Sequence, residues 1–206
     1  MKTVIIDYGM GNLRSVFNAF HQVGAHAVIS SNPEDIRQAH KIVLPGVGAF
    51  GDAMKNLTEM GFLDVLNDEV RHKGKPFLGI CLGMQLLATT GLEHGHCHGL
   101  GWIPGQVARI EGEELGVRIP HIGWNDVRLS RRDGLYKGLA DPQAFYFVHS
   151  YALIPDDPGV ISGLCEYGDD FVASIEKENI YAVQFHPEKS HKIGLHVLKN
   201  FASLKG

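Results

Sequence analysis

Three short segments of this chain carry residue types that can do covalent chemistry. The first is Gly79-Ile80-Cys81-Leu82-Gly83. An apolar run precedes it and a helical pattern follows. The cysteine is therefore expected in a sharp strand-to-helix turn, the arrangement that presents the serine of a hydrolase nucleophile elbow. The flanking glycines would relieve crowding around strained backbone. A helix N-terminus there favours thiolate over thiol, and its backbone N–H groups can face a developing oxyanion. A cysteine nucleophile needs a base, and the base needs an orienter. Among twelve histidines, His186 stands out because it ends the apolar run 180–185 and opens His186-Pro187-Glu188. Residues two apart in extended chain project to the same side. Glu188 is thereby expected to hold the His186 ring toward Cys81, with Pro187 stiffening the link. The third segment is Pro45-Gly46-Val47-Gly48, at the end of another expected strand. Carboxyl ends of parallel strands collect at one edge, where ligands bind. The glycines around Val47 would let its backbone N–H turn toward an oxyanion.

Each segment also has a plain reading: a small buried cysteine, a surface histidine beside a solvated glutamate, an ordinary strand-to-helix loop. Their combination favours catalysis. Other segments are weaker. His94-Gly95-His96-Cys97-His98 offers zinc-type donors but lacks a structural-zinc spacing, and a solvated loop is the better reading. Gly9-Met10-Gly11-Asn12-Leu13-Arg14 is not a dinucleotide fingerprint, and no P-loop lysine follows a glycine run. Trp102 and Trp124 read as core or edge aromatics, although tryptophan is enriched at interface hot spots.

The elements that must position these groups follow from periodicity. In the first half, strand-like runs at 3–7, 27–30, 41–44 and 77–80 alternate with helical patterns at 13–23, 51–60 and 62–73. Asn12 is a plausible N-cap and Gly24 a stop. Asn32-Pro33-Glu34-Asp35 opens a short helix with cap, proline and first-turn acids. Another helix is expected to begin over 84–88. The second half reads as strands at 107–110, 126–129, 144–148, 160–166, 171–176 and 180–185, with hairpin loops at 168–170 and 177–179 and a final helix at 191–204. This pattern predicts an α/β fold, one domain over 1–206, with a central mixed, mostly parallel sheet flanked by helices. The 206 residues suit one domain. Hydrophobic residues at 44% and charged residues at 20% exclude wholesale disorder. A net charge of −4 offers no field for nucleic acid or anionic lipid. No signal peptide is visible, because the run Val4-Ile5-Ile6 stops at Asp7. The uncharged stretch 76–92 is short and glycine-broken, so it is not read as membrane-spanning. Three cysteines without paired spacing point to a reducing compartment, and cytoplasm is expected.

With the motifs in place, the chain resembles the class I, triad-type glutamine amidotransferases through Gly-Ile-Cys-Leu-Gly-Met-Gln (79–85) and Phe-His-Pro-Glu (185–188). The segments 7–12, 45–50, 99–105, 121–125 and 146–151 are similar to the glutaminase subunits of imidazole glycerol phosphate synthases, and they span the whole chain. The resemblance implies that Cys81 attacks the glutamine side-chain amide and that His186 shuttles the proton while Glu188 orients it. The oxyanion hole would be the Val47 and Leu82 N–H groups, after reorientation of the peptide before Val47. Gly46, Gly48, Gln85, His149, Ser150 and Tyr151 would hold glutamine. It implies no metal or organic cofactor. It also implies a heterodimer with a separate (β/α)₈-barrel cyclase, which receives ammonia through a channel and makes imidazole glycerol phosphate and aminoimidazole carboxamide ribonucleotide in histidine synthesis. Asn12, Trp124, Tyr146 and Lys189 would face that partner. Alternatives are the glutaminase of pyridoxal phosphate synthase, a free-standing cysteine hydrolase, and an inactive interaction protein.

Overall fold

A computed structural model describes residues 1–112 and 116–205. Its larger sheet is built from β1 (Lys2–Ile6), β2 (His26–Ser30), β3 (Lys41–Gly46), β4 (Phe77–Cys81), β8 (His121–Leu129), β9 (Gln143–His149), β11 (Ile161–Tyr167), β12 (Asp169–Lys177) and β13 (Ile180–Val183). These nine strands lie in the order β2-β1-β3-β4-β13-β12-β11-β8-β9. The five strands from β2 to β13 pair in parallel, and the remaining pairings are antiparallel. The mixed α/β sheet expected from the sequence is present.

Strands β3 and β4 are buried along their whole length, as parallel strands covered on both faces must be. Alternate residues feed opposite faces. Val4, Ile6, Ile42, Leu44 and Phe77 pack toward α2 (Pro33–Gln38), α3 (Phe50–Glu59) and α4 (Phe62–Leu66). Ile5, Val43, Leu78 and Ile80 pack toward α1 (Leu13–Gln22) and the last helix, α6 (His191–Ser203). The helix signals read locally hold. Asn32 Oδ1 accepts the Glu34 N–H at 3.1 Å. Gly24 and Gly61 end helices at φ +76° and +72°. Asn12 takes the N-cap position of α1 without a side-chain cap bond. Beyond α4 the helix widens into a π-helical stretch over Asn67–His72.

Two expectations are corrected. The helix expected over 84–88 is a single turn, α5 (Leu82–Gln85), and the chain then enters β5 (Ala88–Gly91). The carbonyls of Leu86, Leu87, Ala88 and Thr89, which a longer helix would use, accept instead from Leu100, Ile103, Gly101 and Gly99. Second, β5 joins β6 (Cys97–His98), β7 (Ile103–Arg109) and β10 (Tyr151–Pro155) in a sheet beside the main one. Its four strands lie in the order β10-β7-β5-β6. The histidine-rich segment expected as a loop is thus the turn of the β5–β6 hairpin together with strand β6 itself.

Candidate active site

Strand β4 carries Cys81 to the carboxyl edge of the parallel strands, where the chain reverses into α5. Cys81 takes φ +54° and ψ −109°, a region that costs a non-glycine residue about 1–3 kcal/mol. Its neighbours are glycines because the backbones touch. A Cβ on Gly79 would lie 2.6 Å from the Gly83 carbonyl oxygen, and one on Gly83 would be driven into the Leu44 carbonyl oxygen. With α5 only one turn long, the field at the sulfur comes from a few backbone N–H groups rather than a long helix dipole.

His186 lies just past β13. Its N–H donates to the Tyr146 carbonyl at 2.9 Å. Its carbonyl accepts from Ser190 Oγ at 2.7 Å, and that hydroxyl oxygen accepts the Tyr146 N–H at 3.0 Å. Gly194 of α6 is packed onto the Pro187 carbonyl with no room for a side chain. The ring is thereby fixed. Its Nδ1 donates to Glu188 Oε1 at 2.8 Å, with the two side chains 3% and 2% exposed. Pro187–Lys189 forms a 3-10 turn, so the pair is aligned by that turn rather than by the extended chain expected. Burial alone would lower the His186 pKa. The neighbouring Cys81, then Glu188, outweigh burial and raise it to about 9. Among the described residues its Nε2 has no completed hydrogen bond, so it is available to a proton in transit beside the sulfur.

Cys81 opens onto a cavity of about 480 Å³ lined by Val47, Gly48, Ala49, Cys81, Leu82, Gln85, Glu93, Val148, His149, Ser150 and Tyr151. That volume suits a small metabolite. Val47 is 43% exposed. Gly48 has φ +111°, and a Cβ there would meet Met10 Cε at 2.6 Å. Gly46 is packed against the Tyr8 hydroxyl. Tyr8 is wholly buried, its hydroxyl has no hydrogen-bond partner among the described residues, and burial followed by the nearby Cys81 raises its pKa. The 7–12 loop therefore buttresses the 45–48 loop.

Two expected ligand-holding side chains are engaged within the protein. Gln85 Nε2 donates to the Tyr151 carbonyl at 2.9 Å and to Gln184 Oε1 at 3.1 Å, which leaves only its own oxygen for a ligand. Both ring nitrogens of His149 are occupied, Nδ1 with the Tyr151 carbonyl at 2.9 Å and Nε2 with His121 Nδ1 at 3.1 Å. The Tyr151 carbonyl can only accept, so His149 Nδ1 carries the proton and His121 donates to Nε2. The Ser150 carbonyl accepts from Ile110 at 2.9 Å, and Ser150 lines the cavity. Two residues at the site were missed by the sequence reading. Glu93 lines the cavity and caps α3 through Phe50 N–H at 2.8 Å. Gln184 donates to Cys81 Sγ at 3.7 Å. Gln184 adjoins the histidine motif, a signal that was there to use; Glu93 carried none.

A second depression lies elsewhere. About 1110 Å³ in volume, it is bordered by α1 residues and by Trp124, Glu188, Lys189 and His191. Trp124, 47% exposed, stacks on His191 at 4.9 Å and meets Tyr146 edge-on at 6.1 Å. Lys189 Nζ lies 5.9 Å over the Tyr146 ring. Asn12 heads α1, which packs against the Pro187–Lys189 turn. Among the described residues no three His, Cys, Asp or Glu side chains form a metal-holding group. No helix among them is long and apolar enough to cross a membrane.

The family model for class-I glutamine amidotransferases matches residues 4–204. Imidazole glycerol phosphate synthase subunit HisH 1 of Campylobacter jejuni is 50% identical over 200 residues, covering 97% of this chain and 98% of that protein. The HisH protein of Geobacter sulfurreducens is 50% identical over 210 residues, covering 99% of each. The HisH protein of Aquifex aeolicus is 51% identical over 202 residues, covering 98% of this chain and 96% of that one. Among solved structures, a glutamine amidotransferase superposes with TM-score 0.75 at 21% identity, covering 98% of this chain and 99% of that one. The glutaminase domain of Trypanosoma brucei CTPS gives TM-score 0.66 at 16% identity, covering 100% and 95%. Those two likenesses speak to the fold alone. With an elbow cysteine, a histidine clamped by a carboxylate, a family match from end to end and relatives at half identity, the chain belongs to the class-I glutamine amidotransferase family, in the group that contains those HisH proteins.

Proposed function

We propose that residues 1–206 act as one glutaminase unit that hydrolyses glutamine to glutamate and ammonia at Cys81, His186 and Glu188. The observation that carries this is the His186–Glu188 pair held at 2.8 Å beside the strained Cys81 turn. The glutamine carboxamide enters the cavity, and Glu93 and the free Gln85 oxygen suit its α-ammonium. His186 takes the thiol proton as the Cys81 sulfur attacks the carboxamide carbon, and the charge on the oxygen is met by the N–H groups of Leu82 and, once its peptide is aligned, Val47. His186 gives a proton to the departing nitrogen as the carbon–nitrogen bond breaks, leaving a glutamyl thioester. Water, deprotonated by His186, then attacks the thioester carbon. The carbon–sulfur bond breaks, and the sulfur regains its starting state as glutamate leaves. Glu188 holds the ring and offsets its charge throughout. Gly46 and Gly48 give the cavity wall room, and Ser150 offers its N–H to the substrate carboxylate. The mechanism calls on no metal or organic cofactor.

The ammonia passes, in this reading, to a separate (β/α)₈-barrel cyclase of histidine synthesis in a heterodimer, as the relatives named as synthase subunits suggest. Exposed Ile122 and Trp124, two apart on β8, with Tyr146, Lys189 and Asn12, supply the docking face. A cytoplasmic location belongs to the same proposal, and the three free cysteines support it. The test is glutamate release by the chain alone and then with a barrel cyclase and its ribonucleotide ligand. Near silence alone and strong activity in the complex is the expected result. Equal activity in both would replace the reading with a free-standing hydrolase.

A further inference from the structure

Gln184 is wholly buried just beyond β13, and its backbone N–H is anchored to the Ala173 carbonyl at 2.8 Å. A buried amide is costly unless both of its ends find partners. The surrounding bonds fix which end faces which partner. The Tyr151 carbonyl can only accept, so Gln85 turns its NH₂ toward it at 2.9 Å. That same NH₂ gives its other proton to Gln184 at 3.1 Å. Gln184 must then present its oxygen to Gln85 and its own NH₂ to Cys81 Sγ, at 3.7 Å. The reversed amide would set NH₂ against NH₂ and its oxygen against the sulfur. The Tyr151 carbonyl is itself steadied by His149 Nδ1 at 2.9 Å. The sulfur thus has His186 as its proton partner and a second, non-titrating N–H donor fixed by bonds that do not involve the substrate.

We propose that Gln184 donates a hydrogen bond to the Cys81 sulfur that is stronger for thiolate than for thiol, and that Gln85 and the Tyr151 carbonyl are positioning groups that fix this donor. The inference deepens the proposed reaction and rests on Cys81 as its nucleophile. A donor to an ionised acceptor is roughly twice as strong as one between neutral groups. The bond therefore favours the attacking form of the sulfur, and again favours the sulfur as it leaves the thioester.

The test is the rate of alkylation by iodoacetamide across pH, read cysteine by cysteine by mass spectrometry. Gln184→Glu keeps the acceptor for Gln85 and sets an oxygen against the sulfur. Its Cys81 profile is expected to move up by about one pH unit, about tenfold slower at neutral pH. Gln184→Met removes the donor at similar volume and is expected to slow Cys81 about threefold. Cys97 and Cys165 should react as in the parent chain. In glutamine hydrolysis kcat should fall while KM holds. Superimposable Cys81 profiles in folded variants would overturn the proposal and leave Gln184 a packing residue. If neither variant folds, NMR on the parent chain decides. The Gln184 side-chain amide signals should titrate with the Cys81 alkylation midpoint and become flat in Cys81→Ala; pH-invariant signals in the parent would overturn the proposal. Alkylation needs no glutamine, so shifted profiles with no glutaminase activity would support the Gln184 bond while removing the proposed reaction.

Discussion

Two buried histidine sites lie at the same edge of the sheet and behave in opposite ways. At one, His186 is raised to about 9. At the other, burial lowers His149 to about 3 and His121 to about 4. Both sites are buried, and both fix the ring through a bond at Nδ1. They differ in what stands across from the imidazole. His186 faces a carboxylate and a sulfur, whereas His149 faces a carbonyl and a second imidazole. A neutral acceptor orients a ring without making it basic; an anionic one does both. The fold thus sets one residue type in a charged pair and in a neutral brace, and the brace fixes the Tyr151 carbonyl on which the Gln85–Gln184 chain depends.

The most drastic way to break this contrast is Cys81→Ala. Glutamine hydrolysis should fall by about 10⁴-fold or more, while synthesis fed with free ammonia persists in the complex. The His186 pKa should drop in the same variant, followed by imidazole NMR. Residual glutaminase at the parent rate would show that Cys81 is not the nucleophile. Glu188→Gln should cost less, about 10²–10⁴-fold in kcat. It should also move the alkaline limb, expected near pH 9 from the His186 value, to lower pH. Parent-like activity there would remove Glu188 from the machinery. His121→Phe sharpens the other side. It keeps a ring where His121 stacks on Tyr167 at 3.9 Å but deprives His149 Nε2 of its donor. A loss of about 1–3 kcal/mol in urea unfolding is expected, with the His186 pKa unmoved.

The smallest effect is the pH dependence of stability, and the two sites should pull it in opposite directions. His186 binds its proton more tightly folded than unfolded. Its contribution is full below the ordinary imidazole value near 6.5 and is lost as pH rises through about 9. His121 and His149 hold protons less tightly when folded. Their contribution is full above that same value and is lost as pH falls through about 4 and about 3. Urea midpoints of parent, His186→Gln and His121→Phe across this range would separate the two arms. Parallel curves for all three would show that neither site couples to folding.

The sequence was most legible where the signal is local. The alternation from β1 to β4, the Asn32 cap, the glycine stops and the elbow all depend on residues within a turn of one another. The His186–Glu188 pairing was also readable, because the two residues lie only two positions apart. The second sheet was not, since β5 owes its existence to the 99–103 backbone taking the 86–89 carbonyls. Helical spacing at 84–88 could not report that competition. The parallel run in the main sheet was readable from strand–helix alternation, but its order, with β13 inserted between β4 and β12, is a tertiary fact. Glu93 reaches the cavity only because the β5–β6 hairpin folds back. Gln85 and His149 were expected at the substrate through the resemblance alone, and a sequence does not show which functional groups already have partners within the protein.

The glycine contacts of the elbow have a consequence for the life of the chain. Gly83 is seated on the Leu44 carbonyl, and Gly46 lies in register with Cys81 across β3 and β4. The strained turn is therefore closed by a strand made much earlier in synthesis, and the base arrives only with the last part of the chain. On the proposed reaction, a half-folded chain lacks both the turn that presents Cys81 and the histidine that stands beside it. Reactivity at Cys81 would in that case report completed folding, because a chain that misplaces β3 cannot close the turn.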